Sequence, residues 1–152
     1  MTNIFTRENI FLNEDLNSKD EVLLFLSKKA EQLAIVDDYS KVYKAFNNRE
    51  LESSTGMQDG IAMPHALNDS VKHASIIYIK LKNKLNDWDT FDETKVNKII
   101  AMLVPVNGEK EHLQILAEFA VSLINEEKRQ RLERCATIDE VYNFLNLNNV
   151  EG

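Results

Sequence analysis

Two segments of the sequence, residues 74–81 and 97–104, are apolar at alternate and intervening positions alike and rich in β-branched side chains. A strand with this pattern has both faces covered, so it belongs at the centre of a sheet with helices on its two sides. A shorter strand is predicted around Ile10, and apolar residues at helical spacing occupy much of the remaining chain. This alternation of strands and helices predicts a single α/β domain with helices on both faces of its sheet.

Capping residues mark where several helices begin. Ser18 with Glu21 forms a capping box that opens a helix over about 19–34, and Thr137 with Glu140 opens the last helix. After Pro105, the spacing of apolar residues predicts a strongly amphipathic helix. Its expected core stripe consists of Leu113, Leu116, Ala117, Ala120, Val121 and Ile124.

Charge and composition exclude several classes of protein. With a formal net charge of −7 and its basic residues dispersed, the chain is a poor candidate for nucleic-acid binding. No apolar run is long enough to span a bilayer, and the N-terminus lacks the apolar core of a signal peptide. The single cysteine, Cys135, suits a reducing compartment. We therefore expect a cytoplasmic protein without membrane insertion.

The stretch from residue 49 to residue 66 concentrates backbone control around one titratable side chain. It holds two of the four glycines, Gly56 and Gly60, and one of the two prolines, Pro64. Glycine permits turns that other residues resist, and proline fixes its own φ and disfavours helix before it. The pattern predicts a stiff platform that presents His65 at the end of a short strand, Ile61 to Met63.

The residues around His65 favour phosphoryl transfer over the alternatives. The sequence gives little support for a metal site, because the spacing of His65, His73 and His112 matches no known zinc-binding motif. A serine hydrolase is also weakly indicated, because the chain has no G-x-S-x-G elbow. A phosphohistidine intermediate needs a neutral, exposed imidazole and nearby donors, with no obligatory metal, so no cofactor is expected.

Candidate donors lie on both sides of His65 in the sequence. Arg49 falls near the C-terminal end of a second predicted helix, where the helix dipole favours a cation, and it can offer a charged fork to a phosphoryl group. His112 lies in the first turn of the amphipathic helix and can offer a ring N–H. Ser54 and Thr55 form a polar turn suited to cradling an anion. No nucleotide-binding fingerprint is present, which argues against ATP as the direct donor.

The blocks Ser54-Thr55-Gly56, Gly60-Ile61-Ala62-Met63-Pro64-His65 and His112-Leu113 resemble the IIA component of the bacterial phosphoenolpyruvate-dependent sugar phosphotransferase system, fructose/mannitol family. The similarity covers nearly the whole chain, so that residues 1–152 would form one such domain with a core of about 5–148. The resemblance implies a mixed sheet of about five strands flanked by helices on both faces.

The resemblance also implies a mechanism and partners. His65 would accept a phosphoryl group from the phosphorylated histidine of the carrier protein HPr and pass it to a cysteine of a IIB component, which works with the membrane component IIC. Arg49 and His112 match the residues that assist the active imidazole, and Ser54 and Thr55 match the polar turn. Ala66 departs from the family, which often has glycine after the histidine. No IIB or IIC segment is recognised in the chain, so a free-standing IIA is expected.

Two other functions stay open at this point. Nitrogen-related IIA proteins share the fold and the histidine but regulate other proteins according to their phosphorylation state. A non-catalytic module that binds anions reversibly would form no covalent adduct. The residues alone do not separate these functions, and they do not identify the sugar.

Overall fold

The computed structural model describes residues 4–151 and the side chains of residues 4–146. The strands are β1 (Ile10–Glu14), β2 (Ile61–Ala62), β3 (His65–Asn68), β4 (Ser75–Leu85) and β5 (Val96–Pro105). The helices are α1 (Lys19–Gln32), α2 (Tyr39–Glu52), α3 (Lys110–Ser122), α4 (Glu126–Glu133) and α5 (Ile138–Glu151). Both predicted capping boxes form. The backbone N–H of Glu21 donates to the hydroxyl of Ser18, and that of Glu140 donates to the hydroxyl of Thr137, each at 3.1 Å.

The five strands form one mixed sheet with β4 and β5 at its centre. These two strands run antiparallel, with Tyr78 opposite Ile100. On the outer side of β4 lies β1, parallel to it, and on the outer side of β5 lie β2 and β3, one after the other and both parallel to β5. The prediction of two central strands in a helix-flanked sheet is confirmed.

Helices cover both faces of the sheet and bury two separate apolar clusters. The first cluster joins α1 and α2 to one face, and its fully buried members include Val22, Leu26, Val42, Phe46, Ile77, Ile79, Ile99 and Leu103. The second joins α3, α4 and α5 to the other face, with Ile61, Ile76, Tyr78, Ile100, Phe119, Leu132, Val141 and Leu145. In the part of the chain that the structure describes, no helix is long and apolar enough to cross a membrane.

The core-facing stripe of α3 differs from the predicted one. Leu116 and Phe119 are buried, whereas Val121 is 64% exposed and Ala117 is also exposed. Ile124, just beyond the helix, is 67% exposed. The predicted stripe is confirmed for Leu116 and Ala120 but wrong for Ala117, Val121 and Ile124. Apolar residues lie on most sides of the helix, so spacing alone does not select the side that meets the sheet.

Pro64 divides the apolar segment before His65 into two strands. Ile61 and Ala62 pair with the start of β5, and His65 then pairs with Met102 as the first residue of β3. Pro64 has no N–H to donate, but its carbonyl accepts from the Met102 N–H at 3.0 Å. His65 therefore opens a strand, where the sequence had predicted that it follows the end of one.

Candidate functional site

Helix α2 carries Arg49 to the edge of the sheet. Val42 and Phe46 are completely buried against the sheet and fix the position of the helix. Arg49 lies in the last turn of α2, one turn beyond Phe46, so its side chain extends past the apolar contact toward β3. Its Nη1 donates to the carbonyl of Ser53 at 2.8 Å, which orients the guanidinium.

The guanidinium of Arg49 contacts the imidazole of His65 directly. Arg49 Nε donates to His65 Nε2 at 3.0 Å. Because a guanidinium can only donate, Nε2 must accept and therefore carries an unprotonated lone pair. The proton of the neutral ring then belongs on Nδ1, which lies 3.4 Å from the carbonyl of Met63. The site thus selects one tautomer and leaves Nε2 as the nitrogen able to act as a nucleophile.

The polar turn after α2 is held by its own hydroxyl groups. Ser54 Oγ donates to the carbonyl of Asp89 at 2.6 Å and accepts from the N–H of Gly56 at 3.1 Å. The buried hydroxyl of Thr55 donates to the carboxylate of Glu50. Both hydroxyls therefore fix the loop in this structure, and their predicted support of a phosphoryl group stays a prediction.

Glu50 organises the turn and was not found from the sequence. Its carboxylate is 5% exposed, lies 3.0 Å from Lys19 Nζ and also accepts the backbone N–H of Thr55 at 3.2 Å. Since Glu50 follows Arg49 directly, these contacts restrain the end of α2 from which Arg49 extends. A single acidic residue in a charged helix carries no sequence signal for such a role, because its partner Lys19 is distant in the chain.

His65 lies between a charged groove and an apolar hollow. The groove, about 700 Å³ in volume, runs along α2 and is lined by Lys41, Lys44, Asn48, Arg49, Glu52 and Asp69 among others. The hollow, about 290 Å³, is lined on its apolar side by Met57, Met63, Phe91, Met102 and Ala120. Phe91 is 76% exposed, and Leu67, on the other side of His65, is 62% exposed. The imidazole is thus accessible and surrounded by both kinds of surface.

His112 interacts with residues outside this pair. It is in the first turn of α3, as predicted, but its ion-pair partner is Glu109, at 3.8 Å. It is close enough to His73 to add to the effects that lower the pKa of His73, after burial of that ring and the charge of Lys72. Among the described side chains, no hydrogen bond or ion pair joins His112 to Arg49 or His65, and its predicted assistance to the imidazole stays a prediction.

The arrangement is suited to receiving a phosphoryl group. The unprotonated Nε2 supplies a lone pair once Arg49 releases it, and the adjacent guanidinium can donate to phosphoryl oxygens as negative charge arrives. Nη2 of Arg49 makes no hydrogen bond within residues 4–146, so donors remain available beside the ring. Among the described residues, no group of three His, Cys, Asp or Glu side chains converges to hold a metal ion.

The chain resembles known proteins in both sequence and structure. Residues 3–148 match the family model described as "Phosphoenolpyruvate-dependent sugar phosphotransferase system, EIIA 2". The fructose-specific EIIA component of Haloferax volcanii is 32% identical over 138 residues, which cover 91% of this chain and 89% of that protein. The mannitol-specific IIA component of Staphylococcus aureus is 27% identical over 146 residues, covering 93% of this chain and 94% of the relative.

Two solved structures share the fold over nearly their whole length. The nitrogen regulatory protein IIA-Ntr of Neisseria meningitidis superposes with a TM-score of 0.81 at 27% identity, covering 93% of this chain and 96% of that one. Enzyme IIA for mannitol of Escherichia coli, in its complex with phosphorylated enzyme IIB, gives a TM-score of 0.75 at 22% identity, with 93% and 98% covered.

Proposed function

The chain belongs to the EIIA 2 family of the phosphoenolpyruvate-dependent sugar phosphotransferase system, and on that premise we propose that His65 is its phosphoryl acceptor, through Nε2. Members of this family are phosphotransferases that work through a phosphohistidine, and this chain is a phosphocarrier of that system. The observation that carries the proposal is the hydrogen bond from Arg49 to His65 Nε2, because it leaves that nitrogen unprotonated and places a cation beside it.

The proposed step conserves atoms, charge and oxidation state. The lone pair of Nε2 attacks phosphorus of a phosphohistidine on the donor, so a nitrogen–phosphorus bond forms on His65 while the donor's breaks and returns its electron pair to the donor ring. The proton on Nδ1 stays beside the carbonyl of Met63 throughout. Arg49 releases Nε2 and donates to the phosphoryl oxygens. In the second step a cysteine thiolate attacks phosphorus, and Nε2 recovers its lone pair.

We propose HPr as the donor and the cysteine of a IIB component, working with the membrane component IIC, as the acceptor. The mannitol IIA structure in complex with phosphorylated IIB supports this choice of acceptor through the shared fold. The exposed Phe91 and Leu67 flank His65, and apolar side chains beside the reacting group provide a dry contact for a protein partner. Because each partner must leave after transfer, we expect small, transient interfaces.

We also propose that residues 1–152 belong to a single EIIA domain with a core of about 5–148, and that it acts in the cytoplasm. The family match over residues 3–148 supports the extent of the domain. The proposed donor supports the compartment, since the phosphoryl group originates from phosphoenolpyruvate inside the cell.

The test is intact-protein mass spectrometry after incubation with phosphoenolpyruvate, enzyme I and HPr. The unmodified chain should gain one acid-labile phosphoryl group, and His65→Ala should gain none. His73→Ala is the matched control, because His73 lies outside the groove and the hollow around His65, and it should be phosphorylated at the normal rate. Phosphorylation of His65→Ala at the normal rate would overturn the assignment.

A regulatory function is the second candidate, supported by the likeness to the nitrogen regulatory protein IIA-Ntr. The two functions differ in where the phosphoryl group goes next. Phosphorylated protein should lose its label to a IIB component with an intact active cysteine and keep it with a Cys→Ser variant of that component. A label that no IIB component removes would favour regulation through protein binding.

A further inference from the structure

A second polar cavity lies away from His65, where α4 meets the start of β5. Its volume is about 380 Å³, and its lining residues include Asp59, Lys84, Lys95, Lys98, Arg129 and Glu133. Gly60 also faces it, and a Cβ at that position would lie 2.9 Å from Asn97 Oδ1 and 3.6 Å from Lys98 Nζ. The absence of a side chain on Gly60 therefore keeps the space beside the Lys98 ammonium open.

Two of the cations in this cavity are almost completely buried. Lys98 is 1% exposed, in the middle of a central strand, and Arg129 is 6% exposed. Lys98 Nζ contacts the carboxylate of Glu133, and Arg129 Nε donates to Asp59 at 2.8 Å. Burying a charged group is unfavourable unless it is paired, and each of these cations has one carboxylate partner. Arg129 also donates to the carbonyls of Leu123 and Ile124 at the end of α3.

The carboxylates of the cavity do not balance its cations. Lys80 and Lys98 lie directly opposite each other on β4 and β5, and both contact the single carboxylate of Glu133. Like charges at directly opposed positions destabilise a sheet. Lys84 and Lys95 add two further positive charges at the rim, and among the described residues neither forms an ion pair. The lining thus holds four cations and two carboxylates, in a protein whose net charge is −7.

We propose that this cavity is a binding site for a small phosphate-bearing anion, a phosphate monoester of metabolite size. The excess of two positive charges matches the charge of a phosphate monoester near neutral pH. The side-chain NH2 of Asn97, in the lining, can donate to oxygen atoms of such an anion. The hydroxyl of Thr94 is already used, since it donates to Asp92 and accepts from the N–H of Gly60. The volume falls within the range of small-molecule sites.

The cavity is separate from the proposed transfer site. His65 pairs with Met102, whereas the cavity meets β5 at Lys98, roughly 13 Å earlier along the strand. Neither Arg49 nor His65 lines it. The proposal therefore does not depend on phosphorylation of His65, and its test needs no phosphoryl donor.

The test is a titration of the ¹⁵N-labelled protein with glycerol 3-phosphate, followed by the amide shifts of Gly60 and Thr94. Glycerol serves as the uncharged control ligand. We expect saturable shifts with the phosphate ester and none with glycerol, and weaker binding as salt is raised. The variant Lys84→Gln/Lys95→Gln should bind at least about tenfold more weakly, because two charged contacts are lost. Lys98 is left intact, since removing the buried partner of Glu133 endangers the fold.

The matched control is Lys28→Gln/Lys72→Gln, which removes the same charge from outside the cavity and should bind like the unmodified protein. His65→Ala should also bind normally, which separates this cavity from any anion held beside Arg49. An absence of saturable shifts at Gly60 and Thr94, or equal weakening in both lysine pairs, would overturn the proposal. So would loss of binding in His65→Ala.

Discussion

The hydrogen bond from Arg49 to His65 Nε2 has two consequences at the scale of single residues. It keeps the neutral ring in the tautomer that bears its proton on Nδ1, beside the carbonyl of Met63. It also occupies the lone pair that reacts in the proposed transfer, so in that step Arg49 would have to turn from the ring to the incoming phosphoryl oxygens. The same donor would then hold the ring before transfer and stabilise charge during transfer.

The first prediction concerns the rate of this transfer. Arg49→Gln removes a charged donor from the site and should slow phosphorylation of His65 by about a hundredfold, the usual cost of one preorganised donor. Arg49→Lys keeps the charge but not the planar fork, so its rate of phosphorylation should lie between that of the unmodified protein and that of Arg49→Gln. Rapid quenching of the reaction with phosphorylated HPr measures both. Equal rates for the unmodified protein and Arg49→Gln would show that this contact is only structural.

The second prediction concerns which nitrogen carries the phosphoryl group. Since Nδ1 holds the proton and faces a backbone carbonyl, the adduct should form on Nε2. Two-dimensional NMR of ¹⁵N-histidine-labelled, phosphorylated protein distinguishes the two isomers by phosphorus–nitrogen coupling. An adduct on Nδ1 would mean that the ring turns over before it reacts.

The sequence identified part of this site, for physical reasons that differ from residue to residue. Arg49 and His65 could be predicted because a helix end and a proline-stiffened turn restrict where each side chain lies. The hydrogen bonds of the two hydroxyls could not be predicted, because a hydroxyl can donate to any nearby oxygen. Ser54 donates to Asp89, and Thr55 donates to Glu50. His112 was placed correctly in its helix turn, but its distance from His65 depends on how α3 sits on the sheet.

At the scale of elements, the helices differ in how far their sequence determines their packing. The start of α1 at Lys19 follows from its cap, and the predicted end at residue 34 was two residues too late, since α1 ends at Gln32. In α3, Phe119 is buried in the cluster against the sheet whereas Val121 is exposed. Local spacing predicts that a helix exists, whereas the neighbouring layer decides which side of it is buried.

The third prediction concerns the loop that follows α2. A Cβ on Gly56 would lie 1.9 Å from the carbonyl oxygen of Asp89, so Gly56→Ala must displace that backbone and break its bond with Ser54. We expect the free energy of unfolding to fall by about 2 kcal/mol or more, measured by urea denaturation. Gly108→Ala is the matched comparison, because its nearest contact is a ring atom of Pro105 at 2.6 Å rather than backbone. An equal loss in both variants would contradict this reasoning.

At the scale of the whole molecule, the two faces of the sheet are stabilised differently. The face covered by α1 and α2 is an apolar core, whereas α4 approaches the other face with an ionic contact as well, from Glu133 to Lys98 and Lys80. Partial burial would raise the pKa of Glu133, but the hydrogen bonds and charges of Lys98 and Lys80 outweigh it and hold that pKa below its usual value. Stability on this face should therefore depend on pH.

The fourth prediction follows from the sign of that shift. A carboxyl whose pKa is lower in the folded state stabilises the protein above its unfolded pKa, and this contribution is lost as the pH falls through the folded value. Glu133→Gln should be less stable than the unmodified protein at pH 7 by about 1–2 kcal/mol, a modest value because the carboxylate is half exposed. The difference should shrink below about pH 4.

Thermal or urea unfolding across this pH range provides the measurement. Glu127→Gln, on the same helix, is the control and should change stability by a few tenths of a kcal/mol at most. A Glu133→Gln deficit that is the same at pH 3 and pH 7 would show that the loss comes from packing rather than from charge.

The connectivity of the sheet sets the order in which the protein can form during synthesis. In the described chain β1 pairs with β4 alone, and β2 and β3 pair only with β5. The hairpin of β4 and β5 is the most local of these strand pairs in sequence. β1 must wait for β4, whereas β2 and β3 must wait for β5. When His65 is added to the growing chain, the strand that will hold it has not yet been translated. A chain interrupted before Val96 lacks the strand against which His65 is held, so we expect the nascent protein to accept a phosphoryl group only after most of it exists.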